Sequence, residues 1–371
     1  MISFRKRRVW ISAIGAIAAL TATAFQLGFA NPAAPMSRDD AVRDVSAPVV
    51  FDRPERTIEV GLHIVNIHQF SMKDKLYTVE GWYWLRWPEA IQEIIGGEQI
   101  DLDKIVEFKN QVETSSFAVE MDTSKPVDLP DNRKYQLFKF SGRFYVTDLN
   151  LRKSPFETFD LPVMIETRPD VLSCEAEDPE CVYLKPDAHN EPALVGEFAE
   201  INGFKLIATS IKPYIHQYAT NFGIGPPSAF SRVEYDVRYQ TDFWAAFTQN
   251  VLPLLIVVAF VLVSPRLPSS MGDVRLAIPA TALLTLIFMQ QTYRSEIPAL
   301  SYLTFMDWLY AFAYLISMSL FILFCWGTYR YSEASEADRP AVEARIDRID
   351  SRFQFLAIVG LVLTALVAWL V

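Results

Sequence analysis

The segment Gly272–Met306, GDVRLAIPATALLTLIFMQQTYRSEIPALSYLTFM, sets Asp273, Thr281, Gln291 and Ser295 in an otherwise apolar run. Their separations are sums of three and four residues, which gathers side chains on one face of a helix. A helix wrapped in lipid has no use for such a stripe, because polar groups at membrane depth face protein or water. The chemistry on offer is that of a wet path through a bilayer. Periodicity alone leaves the phase open, since a face carrying Leu276, Leu283, Leu286 and Gln290 is also drawable.

A second carboxylate needs an account. Asp307 stands near the outer end of the next apolar run, where Arg294 or polar groups of the neighbouring span are its expected partners, in a structural pair rather than on an ion path. Nothing comparable supports catalysis. The four histidines, His63, His68, His189 and His216, lack metal-ligand spacing, and no nucleophile and base pair, metal cluster or Gly-rich phosphate loop can be drawn. The chain therefore reads as a non-enzyme with no cofactor. Of three cysteines, Cys174 and Cys181 lie close together in an acidic loop, either as a disulfide in an oxidising compartment or as two thiols, and Cys325 lies in an apolar span.

Two kinds of element must position these residues. A chain of 371 residues that is 51% hydrophobic yet 21% charged, with mean hydropathy +0.15, fits membrane spans joined to a large water-soluble part. The net charge of -10 argues against a nucleic-acid partner, which needs a basic face, and suits cations or small amines. Arg5, Lys6, Arg7 and Arg8 precede the apolar run Val9 to Leu20, and Gly28-Phe29-Ala30 supplies a small-x-small site. Residues 1–30 thus read as a signal peptide, the alternative being an uncleaved anchor; either one exports the region after it.

From Val45 to Thr241 the chain alternates like a sheet protein. Ile58, Val60, Leu62 and Ile64 point one way, and Tyr77, Val79, Tyr83, Leu85 and Trp87 repeat the pattern, with Thr78, Glu80, Trp82, Trp84 and Arg86 opposite. Further strand-like runs at Tyr135–Thr147, Asp160–Thr167, Phe198–Tyr218 and Phe230–Tyr239, separated by turn residues, predict a β-sandwich over 31–242, with one short helix near Glu89–Gly96. After Asp242 four spans are expected at about 243–264, 275–293, 299–328 and 353–371, each near the ~20 apolar residues that cross a bilayer. Arg266 and Arg275 in one loop, and Arg330, Arg339, Arg345, Arg348 and Arg352 in another, place both loops in the cytoplasm and the sandwich and C-terminus outside.

The order of parts and several motifs resemble the pentameric ligand-gated ion channels, the Cys-loop receptor superfamily, and in particular its bacterial branch. Trp87-Pro88-Glu89 is similar to the family's W-x-D. Ser154-Pro155-Phe156-Glu157, after Asp148–Lys153, is similar to the FPFD loop that touches the membrane domain. Asn250-Val251-Leu252-Pro253 resembles the N-x-x-P of the first span, and Ser301–Asp307 resembles the opening of the third. The resemblance covers essentially the whole mature chain. There are departures. Thr147 and Leu161 stand where animal members have their loop cysteines, the segment between the third and fourth spans is short, and both are bacterial traits. Arg238 matches the arginine that precedes the first span but lies about one helical turn early relative to Pro253, which bears on its pairing with Glu157. Pro279 interrupts the second span where the family has no proline; it removes a donor and is a place for a bend.

The resemblance implies an immunoglobulin-like twisted β-sandwich in the periplasm, an all-α four-helix domain in the cell inner membrane, and a homopentamer passing monovalent cations in response to an amine-like agonist or protons. It also chooses the phase of the second span. Asp273, Ala277, Thr281, Leu284, Phe288, Gln291 and Ser295 would line the pore, with Asp273 as an acidic ring or simply as an N-cap, and with Leu284 and Phe288 as apolar rings that close by dewetting or as ordinary packing. Trp82, with Trp84 beside it, falls where the complementary-face aromatic lies. Tyr218, Phe222 and Phe230, in a hairpin resembling the loop that caps the ligand, would help form an aromatic box; plain strand packing is the alternative. Coupling would run through Pro155, Phe156, Glu157, Arg238 and Pro298 to the linker Ile297–Ser301.

Overall fold

The computed structural model describes residues 45–49, 51–168, 172–174, 181–188, 194–220, 223 and 228–370; the leader expected over 1–30, and Phe222, lie outside them. The described residues form a two-sheet β domain followed by four long helices. One sheet runs β1 (Val45–Pro48), β12 (Phe204–Gln217), β13 (Ala229–Thr241), β9 (Thr158–Thr167), β4 (Val106–Phe108). The other runs β10 (Tyr183–Pro186), β2 (Thr57–Ser71), β3 (Leu76–Pro88), β8 (Arg133–Tyr145), β5 (Gln111–Val112), with β11 (Val195–Phe198) on β2 and with β6 (Ala118–Met121) and β7 (Val127–Asp128) on β8. The short helix α1 (Glu89–Gly97) follows β3.

Alternation predicts the core correctly because the side-chain period of a strand is two. Ile58, Val60, Leu62 and Ile64 of β2 and Tyr77, Val79, Tyr83, Leu85 and Trp87 of β3 are all buried, facing Val233, Tyr235, Val237 and Tyr239 of β13. Buried tyrosines need partners for their hydroxyls. Tyr77 donates to the carbonyl of Pro162, Tyr235 to that of Val60 at 2.8 Å, and Tyr239 to that of Ala199 at 2.6 Å. Tyr77 and Tyr235 therefore pin the two sheets together in both directions. On the outer face of β3, Trp84 lies across Gly61, where a Cβ would sit 2.1 Å from the indole, so only glycine admits the ring.

The helices α2 (Phe243–Arg266), α3 (Gly272–Glu296), α4 (Phe305–Ser332) and α5 (Arg339–Leu370) are long and apolar enough to cross a membrane, which makes this a multi-pass membrane protein by length and composition. At ~1.5 Å per residue even α2 exceeds the ~30 Å hydrocarbon core. Pro253 leaves the carbonyl one turn back without its donor, and the turn there, Phe247–Val251, widens to a π-helix. By contrast α3 continues through Pro279 to Glu296 as one helix.

Two helices do not begin where the expected spans do. The third helix starts at Phe305 rather than near 299, because Thr304 caps it: its hydroxyl accepts the Asp307 N–H, and the Asp307 carboxylate accepts the Thr304 N–H at 2.8 Å. The fourth starts at Arg339 rather than 353. Charges do not stop a helix, and this arginine-rich stretch is helical and continuous with the apolar part.

Candidate functional site

All seven residues expected on the pore face, Asp273, Ala277, Thr281, Leu284, Phe288, Gln291 and Ser295, are exposed in the single chain. The rival face is packed: Leu286 is fully buried, and the Tyr314 hydroxyl donates to the Leu286 carbonyl at 3.1 Å and to Gln290 Oε1 at 2.8 Å. In the single chain Leu286 and Gln290 thus face α4, while the seven expected positions face outward, as do Val274, Ile287 and Thr292. Thr285, Thr292 and Ser295 hydroxyls bond back to carbonyls of Thr281, Phe288 and Thr292, so the polar stripe satisfies part of its demand within the helix. Leu284 and Phe288, one turn apart, stand 55% and 64% exposed without intrachain cover.

Asp307 is held away from that stripe. Its carboxylate pairs with Arg294 of α3 at 2.8 Å and accepts from the Thr304 hydroxyl at 2.9 Å, while Tyr293 of α3 donates to that same hydroxyl at 2.9 Å. The pair ties the C-terminal end of α3 to the N-terminal end of α4, as a structural charge would.

The segment Leu149–Glu157 forms the contact between sandwich and helices. Phe156 stacks on Phe243 of α2 at 5.0 Å and meets Phe305 of α4 and Trp369 of α5 edge-on at 6.0 and 5.9 Å. One ring therefore touches three membrane helices. Arg152 accepts the Phe305 N–H on its carbonyl at 2.8 Å and lays its guanidinium 4.9 Å over Tyr302, and Lys153 lies 5.3 Å over Trp369. Pro155 follows a cis peptide bond within this segment, and Pro298 lies in the non-helical link between α3 and α4.

The pairing of Arg238 with Glu157, which the early position of Arg238 put in question, is not made. The Arg238 guanidinium forks onto Asp160, at 2.6 and 2.8 Å, across the β13–β9 register that pairs Arg238 with Asp160. Thr241 takes the place beside Glu157, its N–H donating to the Glu157 carbonyl at 3.0 Å. Glu157 is buried, with Oε2 lacking a hydrogen-bond partner, and burial pushes its carboxyl above the usual range against the pull of Ser154 and Thr241.

On the outer face of the first sheet, Tyr218 donates to Glu166 Oε1 at 2.7 Å and accepts from Arg232 at 3.0 Å, with Phe230 edge-on at 6.0 Å and His216 at 4.6 Å. Lys109 stands 5.2 Å over the Tyr218 ring, and Arg232 5.8 Å over Tyr214. The aromatic faces thus already hold cations of the chain itself. Glu166 is buried and salt-bridged to Arg232 through Nε at 2.7 Å and Nη2 at 2.5 Å. Burial would lower the Arg232 pKa, but the Glu166 charge together with Tyr214 and Tyr218 raises it; burial raises the Tyr218 hydroxyl. One pair of strand positions further, burial and then the charge of Asp236 push Glu234 up, and burial takes Tyr214 to about 12.

Trp82 sits half-buried on the second sheet, opposite His63 and Lys139, so one chain does not bring it to Tyr218 and Phe230. Phe230 is buried, which limits what its ring can offer a ligand. Cys174 and Cys181 are joined by a disulfide, and the Cys174 N–H donates to the Ala229 carbonyl at 2.6 Å, fastening Cys174 to the first residue of β13, at the turn end of the β12–β13 hairpin. Glu166, Arg232 and Lys109 escaped the sequence reading. The signal was a charge at every second position of β13, Arg232, Glu234, Asp236 and Arg238, but their partners needed the cross-strand register.

No family model matches the chain, and no curated protein matches it significantly.

Proposed function

We propose that this chain is one subunit of a ligand-gated, cation-selective channel, a homopentamer in the cell inner membrane with its sandwich and C-terminus on the periplasmic side. The observation that carries this reading is the face of α3. A stripe holding Asp273, Thr281, Gln291 and Ser295 stays exposed while the opposite side packs on the neighbouring helices. Polar groups at that depth call for water. Five copies around an axis would supply it, with the Asp273 carboxylates attracting cations at the inner mouth and the Leu284 and Phe288 rings closing the bore. The junction at Phe156 gives a route by which a change in the sandwich reaches α2, α4 and α5 together.

An amine-like agonist at the Tyr218 face would compete with Lys109, which already covers that ring. Protons are the second agonist class, and Glu157 and Glu234 are the carboxyls whose raised affinity suits it. The reading is tested by current across a bilayer holding the purified protein, in asymmetric salt, with candidate amines and stepped pH. A cation-selective current that Asp273→Asn weakens in selectivity supports it. A silent protein would favour a non-conducting receptor of the same architecture, a reading to which Pro279 within α3 and the Asp160-bound Arg238 lend weight.

A further inference from the structure

Arg275 and Asp350 are a buried ion pair joining α3 to α5, each side chain 2% exposed. Arg275 also donates to the Ser269 hydroxyl at 3.1 Å, and its guanidinium lies 4.3 Å over the Phe324 ring of α4. A buried pair of this kind adds little to global stability over apolar residues of similar size, so its effect is sought in the local fixing of the turn that carries it. Arg275 lies in the first turn of α3, two residues after Asp273 and on the opposite side. Just before it, a Cβ on Gly272 would stand 2.7 Å from the Thr328 methyl, so the foot of α3 is pressed against α4 at backbone distance. One turn above, Pro279 has no N–H for the Arg275 carbonyl, so the rung that would stiffen the helix over this foot is missing. Clamp and missing rung are adjacent: the foot is held by Ser269, Phe324, Thr328 and Asp350, and the helix immediately above has one backbone hydrogen bond fewer.

We propose that Arg275 and Asp350 are positioning residues for Asp273. They hold the first turn of α3 so that the Asp273 carboxylates keep a fixed spacing while the part of the helix above Pro279 moves. This rests on the reading of α3 as a pore lining.

The experiment compares the full chain, in phospholipid vesicles, with the doubly neutral Arg275→Met/Asp350→Leu variant, which leaves no orphaned charge, and with the exchanged pair Arg275→Asp/Asp350→Arg. Amide hydrogen exchange over residues 275–278 reads the clamp without any current. The neutral variant should exchange about tenfold faster there, as expected for the loss of ~1.4 kcal/mol of local protection, with residues 286–296 unchanged. Its reversal potential in asymmetric potassium chloride should shift toward that of Asp273→Asn, and the exchanged pair should recover both properties. Unchanged exchange overturns the clamp. Faster exchange with unaltered selectivity overturns the link to Asp273. A wild-type chain that passes no current removes the pore reading and this proposal's functional half with it, while the exchange result still decides whether the foot is clamped.

Discussion

The hydroxyl of Tyr302, in the link ahead of α4, accepts the backbone N–H of Leu151 at 3.0 Å, so a sandwich loop hangs on a residue of the membrane domain. Tyr302→Phe keeps the ring under Arg152 but orphans that part-buried N–H. The expected loss is about 1 kcal/mol, and the whole-chain thermal midpoint in detergent should fall by about 2 °C. Agonist response should weaken at the same time if the loop transmits gating. An unchanged midpoint would mean that water takes over from the tyrosine.

The two arginines of β13 should behave very differently. Arg232 and Glu166 are buried, with side chains 9% and 1% exposed, whereas Arg238 and Asp160 are 46% and 30% exposed. Arg238→Ala should cost no more than about 1 kcal/mol. Arg232→Ala strands the Glu166 charge and should cost about 3–5 kcal/mol. Arg232→Lys should recover little of this, because the fork onto Glu166 needs a guanidinium. Denaturant unfolding of the three variants checks the order, and equal losses would refute the contrast.

Glu157 predicts a pH dependence of definite sign. Burial raises its carboxyl in the folded chain, so the protonated form is the one the fold prefers. Its contribution to stability is full below the ordinary glutamate value of ~4.3 and declines as pH rises through the raised one. Glu157→Gln should flatten the stability curve over that window and stabilise the junction near neutrality. Melting curves from about pH 4 to pH 8 provide the measurement, and a variant with the wild-type slope would contradict it.

Opposite faces of α3 should separate stability from gating. Leu286 is fully buried, and Leu286→Ala should cost about 2–5 kcal/mol. Leu284→Ser alters an exposed position, should change stability by less than about 0.5 kcal/mol, and should favour the conducting state. Midpoints and currents measured on the same preparations check both halves. A large stability loss at Leu284 would place that side chain in a packed interface.

The elements were largely legible and their limits were not. Alternation found the core of β2 and β3 residue by residue, and apolar length found all four membrane helices. The start of α4 falls within Ser301–Asp307, the stretch that resembles the opening of the third span, and a capping box of Thr304 with Asp307 fixes it there. The start of α5 lies ahead of its apolar part, because hydropathy marks where a helix enters lipid, not where it begins.

Local pattern was sufficient for whatever depends on the backbone period: which strand residues face inward, which segments can span, and that α3 carries a polar stripe. It could not assign partners, because a charge pairs with whatever the fold sets beside it, however distant in the chain. Only the tertiary structure set Arg238 on Asp160 rather than Glu157, joined Arg232 to Glu166 across the β13–β9 register, and brought Asp350 of α5 to Arg275 of α3. The same packing turned Leu286 and Gln290 toward α4 and left Asp273, Thr281 and Gln291 outward, a choice that a 3.6-residue period leaves open.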